Sequence, residues 1–178
     1  MLETGDAIQT KVTNMSIKRR IFYSFHFNND AWRAGQVRNI GVVEGNEPVS
    51  PNDWEAVKRN GDAAIERWIE AQMQGRTCTV VLVGAETALR PWVRHEIVKS
   101  WARGMGVLGI RVHKLLNQAR QSSGAGPNPF DHLQFDDGTL ASTKIRLYDP
   151  TGYDSQQTYA SISANVGNWI EAAVAARR

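Results

Sequence analysis

An α/β domain with helices covering a mostly parallel sheet is the fold class this sequence predicts, and three observations predict it. Cys78, Thr79, Val80, Val81, Leu82 and Val83 form a continuous apolar, β-branched run of strand length, as expected of a strand buried on both faces. Gly106 to Val112 repeats the pattern, with Pro91 to Gly104 between the two runs. In that intervening segment Val93, Ile97 and Trp101 recur at four-residue steps, the period of a helix laid on a sheet. Strand and helix therefore alternate, as in a parallel sheet joined by crossovers.

Taken in order, residues 1 to about 16 lack periodicity and are expected to form a flexible tail, leaving 17–178 as one domain. Ile21, Phe22, Tyr23, Ser24, Phe25 and His26 make a short aromatic strand with Phe22, Ser24 and His26 on one side. Asn28, Asn29 and Asp30 then offer caps for a helix from Ala31 to about Asn39. Gly41 to Glu44 is expected to form a second short strand, followed by a loop over 45–49. Ser50, Pro51 and Asp53 form a helix opening, with a serine cap and a proline in the first turn. One helix is expected to run from there to Gly75, burying Trp54, Val57, Ile65, Trp68, Ile69 and Met73; both tryptophans read as core anchors. Beyond Val112 the pattern loosens into a turn-rich connection, 121–129, with a helical turn at 130–133. Lys144 to Tyr148 alternates like an edge strand, and the last helix, from about Tyr159 to Ala175, buries Ile162, Val166, Trp169, Ile170 and Val174. Five strands and about five helices result.

Composition narrows the function. The chain has 178 residues, 42% of them hydrophobic, with six tryptophans, enough for one domain with a substantial core. A net charge of +3, with basic residues scattered apart from short clusters, is a poor footprint for nucleic acid. The single cysteine, Cys78, excludes an internal disulfide and a cysteine-built metal centre, and reads as a core residue of a reducing compartment. Neither a membrane span nor a hydrophobic leader is visible, so a cytoplasmic protein is expected. No phosphate-binding P-loop, dinucleotide-binding glycine pattern or nucleophile elbow occurs, and His26, His95, His113 and His132 are too dispersed for a metal spacing.

Glu96 is the leading catalytic candidate. It shares a helical stripe with Trp92 just beyond the carboxyl end of the central strand, where open α/β sheets bind ligands. A glutamate on an amphipathic helix is more commonly a solvated surface residue. His26, at the end of the first strand, is either a ligand contact or a hydrogen-bonded structural histidine.

The stretch Ile21 to Asp30, followed by Trp32, Arg33, Val37, Arg38 and Asn39, then Leu82 to Gly84, Arg90 to Ile97 and Gly126 to Asp131, resembles the bacterial TIR-like domain family, and within it the ThsB proteins of Thoeris anti-phage defence. The matches run in order from about Arg19 to Tyr148. The resemblance implies a three-layer flavodoxin-like fold with a five-stranded parallel sheet in the order 2-1-3-4-5. It implies NAD as substrate, with no prosthetic group, cleaved at the nicotinamide–ribose bond, and it puts Glu96 at the catalytic glutamate. Phe25 and Trp92 would flank a base or pack in the core; Asn28, Asp30 and Asn39 are further ribose or phosphate candidates, Asp30 having the simpler reading of a helix cap. The implied product is a cyclic or modified ADP-ribose signal for a separate effector protein, made by a homo-oligomer. A non-catalytic TIR-like interaction module, or a nucleotide-binding domain without turnover, are the alternatives.

Overall fold

The computed structural model describes residues 18–46 and 51–178, and the side chains of residues 51–53 are outside that description. The proposed tail over 1–16, most of the 45–49 loop and the Ser50 cap therefore lie outside the described residues. Four parallel strands form one sheet in the order β1 (Ile21–Phe25), β2 (Cys78–Val83), β3 (Gly106–Arg111) and β4 (Arg146–Tyr148). All six residues of β2 are buried, as its unbroken apolar run requires.

The helices cover both faces. On one face α1 (Phe27–Arg38) and α5 (Ser155–Ala175) pack Ala34, Val37, Ile162, Val166 and Ile170 against Tyr23, Val80, Leu82 and Leu108. On the other, α3 (Asp62–Met73) packs Ile65, Ile69 and Met73 against Phe22, while α4 (Pro91–Ala102) sets Val93 and Ile97 on Val81, Val83 and Val107. This α/β arrangement is consistent with a flavodoxin-like layout. Cys78 is fully buried among apolar neighbours, which push its thiol up to about 12 and leave it a core residue.

The sheet has four strands among the described residues, not the five expected. Where the second strand was expected, Glu44 alone makes a parallel bridge with Arg20, through Glu44 N–H to the Arg19 carbonyl at 3.0 Å and Ile21 N–H to the Glu44 carbonyl at 2.9 Å. The reason is local. Gly41 takes a φ of 73°, Val42 is exposed, and Gly45 passes so close to the Tyr23 ring that a Cβ there would lie 2.7 Å from it. The next amide on that edge of β1, that of Tyr23, donates to the buried Asn46 side chain at 2.8 Å. A side chain thus replaces the backbone partner, and pairing stops after one residue.

Helix boundaries also differ, and α5 begins at Ser155, capped by Asp154, rather than near Tyr159. The expected 51–75 helix is two, α2 (Pro51–Arg59) and α3, broken at Asn60 and Gly61. Gly61 takes a φ of 83°, open to glycine at little cost, and its carbonyl accepts the first amides of α3. Helix α1 starts at Phe27 rather than Ala31, with His26 in the capping position. Asp30 is therefore no cap: it lies inside the helix, buried, paired with Arg33 at 2.8 Å.

The long connection after β3 is tied down by side chains. Arg33 donates to the carbonyls of Leu115 at 2.7 Å and Gln121 at 3.0 Å, and Arg111 to those of Ala125 and Gly126. Gly126, at a φ of 69°, runs against the Gly84 carbonyl so closely that a Cβ would sit 2.3 Å from it. This places the Gly126 to Asp131 turn against the carboxyl end of β2.

Candidate active site

A cavity of about 270 Å³ opens where the chain leaves β1 toward one face of the sheet and enters α4 on the other. The carboxyl end of β1 and the start of α1 supply Phe25, His26 and Asn28; the first turns of α4 supply Trp92 and Glu96; α2 and α3 supply Trp54, Lys58 and Trp68. Pro91 in the first turn of α4 has no amide to satisfy, which lets the helix begin abruptly at the rim. Trp92 and Glu96, one turn apart, then both meet the cavity.

Glu96 is held from two sides. The Ser24 hydroxyl, buried on the middle of β1, donates to its Oε2 in a short hydrogen bond. Beneath it, Thr79 and Ser100 share a buried hydroxyl contact at 2.6 Å, and Ser100 donates to the Glu96 carbonyl at 2.6 Å. Burial pushes the Glu96 carboxyl up to about 8, with the Ser24 bond opposing it. Among the described residues it is the one acidic group lining the cavity, whose charged neighbours there, Arg38, Lys58 and Arg90, are cationic.

The rim is aromatic and basic. Phe25 stacks with Phe27 at 6.3 Å between ring centroids, and the Arg38 guanidinium lies 5.4 Å from the Phe25 ring. Trp54 and Trp68 sit 5.6 Å apart at 57°, and Trp92 meets His95 edge-on. His26 is buried, with Nδ1 3.8 Å from the Glu86 carboxylate and no hydrogen-bond partner among the described residues. Desolvation first, then Arg90, lowers its pKa, so the imidazole is neutral. Glu86 in turn receives Asn29 and Arg90.

Of the residues singled out from the sequence, Glu96, Trp92, Phe25, His26 and Asn28 line one cavity. Asp30 and Asn39 do not. Asp30 is buried behind the rim beside Gly84, where a Cβ would come within 2.3 Å of its Oδ2, and burial raises its pKa while Arg33 lowers it. Asn39 is exposed at the carboxyl end of α1, its amide bonded to the Gly35 carbonyl. The sequence reading passed over Ser24 and Lys58 as site residues; Trp54 and Trp68, read as core anchors, do pack on the cluster around Phe22 and also line the cavity. A serine on the same side of β1 as Phe22, level with the α4 carboxylate, was the available signal for the first. For the tryptophans, helical spacing alone does not separate a core face from a cavity wall.

Fold and cavity define an α/β domain with its cleft at the carboxyl ends of the strands, beside the point where the connections diverge to opposite faces. Residues 22–117 match the family described as Thoeris protein ThsB, TIR-like domain. A Bacillus cereus (strain MSX-D12) protein named "Putative cyclic ADP-D-ribose synthase ThsB1" is 32% identical over 139 residues, covering 75% of this chain and 72% of that protein. The chain belongs to the ThsB TIR-like family.

Proposed function

We propose that this protein consumes NAD, cleaving the nicotinamide–ribose bond at Glu96 to make a cyclic or modified ADP-ribose that signals to a separate effector protein in Thoeris-type defence. The observation that carries this reading is a glutamate side chain, gripped by a buried hydroxyl, inside an aromatic cavity with a cationic rim. A relative named for cyclic ADP-ribose synthesis supports it.

The chemistry needs little more. As the glycosidic bond breaks, nicotinamide departs as a neutral molecule and positive charge gathers on the ribose, so no acid is needed at the leaving group. A carboxylate beside C1′ steadies that charge and accepts from ribose hydroxyls. Capture of C1′ by an adenine nitrogen releases a proton and gives a cyclic product; capture by water gives ADP-ribose. Phe25 and Trp92 suit the nicotinamide ring, Trp54 and Trp68 offer a wall for adenine, and Lys58 suits the pyrophosphate. His26 and Asn28 complete the rim as polar contacts to ribose; Asp30 and Asn39 act on the site only through the elements they hold. The cavity is small for a whole dinucleotide, so association of two copies would enclose the remainder.

Mass spectrometry of NAD incubated with the protein, dilute and concentrated, tests the reading. Free nicotinamide together with a product lighter than ADP-ribose by one water is expected, and both should vanish with Glu96→Gln. A folded Glu96→Gln chain that still turned NAD over undiminished would exclude the role.

A further inference from the structure

We infer that Ser24 is the positioning residue of the site: its hydroxyl fixes which oxygen of Glu96 faces the substrate and favours the ionised carboxylate there. The inference rests on the proposed cleavage at Glu96 and adds a residue on a different element.

Ser24 is 1% exposed, on a strand whose backbone is committed to pairing with Val81 on β2. Its hydroxyl donates to Glu96 Oε2, and no other hydrogen bond to that carboxylate occurs among the described residues. One oxygen is thereby occupied and aimed, and Oε1 is left for the cavity that Glu96 lines. A carboxylate oxygen that already accepts one strong hydrogen bond is turned away from solvent and cannot rotate freely, so the free oxygen has one direction. The Thr79–Ser100 contact fixes the helix turn beneath, so strand and helix each hold one end of the same residue.

Among the described residues little else nearby sets this charge. The surfaces of β2 and β3 under α4 present Thr79, Val81, Val83 and Val107, none of them charged. Among the described residues, the other titratable or charged groups within the cavity are Tyr23 and His26 from β1 and its end, Arg38 from α1, Lys58 from α2 and Arg90 ahead of α4. None of them hydrogen-bonds to Glu96. The Ser24 hydroxyl is thus the local influence favouring ionisation against burial.

Two readouts on the full chain test this. Carbon-13 NMR titration of the glutamate side chains, with Glu96 assigned by its loss in Glu96→Gln, should show the Glu96 midpoint higher in Ser24→Ala by about one pH unit. Ser24→Thr keeps the hydroxyl on a β-branched residue suited to a strand, and should restore the native midpoint. In NAD turnover, Ser24→Ala should fall about tenfold at pH 7, with the acidic limb of kcat/KM moved up by the same unit. An unchanged Glu96 midpoint in folded Ser24→Ala overturns the inference. A shifted midpoint in a protein that releases no nicotinamide in any assembly state upholds Ser24 as the group favouring this charge and removes the NAD reading instead.

Discussion

Two opposed influences meet on the Glu96 carboxyl, burial raising its pKa to about 8 and the Ser24 hydroxyl pulling it back. Much of it is therefore protonated at neutral pH, and the form proposed to steady a ribosyl cation is the minority. The kcat/KM for NAD should therefore rise about tenfold per pH unit below pH 8 and level off above it, since this quantity reports the free enzyme. The kcat profile should level off at lower pH, because a bound cationic nicotinamide ring favours the charged carboxylate. A kcat/KM flat from pH 6 to 9 would contradict this. Stability runs the opposite way. The native state keeps a proton that the unfolded chain releases near the ordinary value of 4.5, so this contribution is full below about 4.5 and is lost as pH rises through 8. Melting scans across that range should show a smaller loss for Glu96→Gln. The sequence disclosed Glu96 through its spacing from Trp92 and its place after the central strand. It could not disclose Ser24's grip, which depends on β1 and α4 meeting across 72 residues of chain.

Helix and loop boundaries decide what surrounds that carboxylate. Buried runs such as β2, and the faces of α4 and α5, were legible because an unbroken or periodic apolar pattern has one packing solution. The expected second strand and the single 51–75 helix were not legible. In the first, one asparagine side chain takes a backbone partner's place; in the second, one glycine at a φ of 83° breaks the periodicity it seems to join. That break separates α2 from α3, and both bring a tryptophan to the cavity. Trp54→Ala should raise the KM for NAD about tenfold while changing that for nicotinamide mononucleotide, which lacks adenine, by less than about twofold. Equal losses on both substrates would assign this wall to packing alone. At the rim, Gly84→Ala would drive a methyl into Asp30, which is pinned to Arg33. It should cost about 1 to 3 kcal/mol in chemical denaturation, and a variant as stable as the native chain would show that Asp30 has room to move.

At the scale of the whole molecule, the parallel sheet holds strand and helix in fixed register, and the Ser24–Glu96 contact on which the proposed activity depends is assembled from both. No helix among the described residues is long and apolar enough to cross a membrane. The cationic side chains around the cavity, set against one acidic group among the described residues, favour an anionic ligand that carries a positive charge at its reacting end, a description that NAD meets. The most direct test follows free nicotinamide by proton NMR in NAD mixed with concentrated protein at pH 8, native chain beside Glu96→Gln. The account predicts steady release by the native chain and at least a hundredfold slower release by the variant; equal release by the two, with both folded, would contradict it.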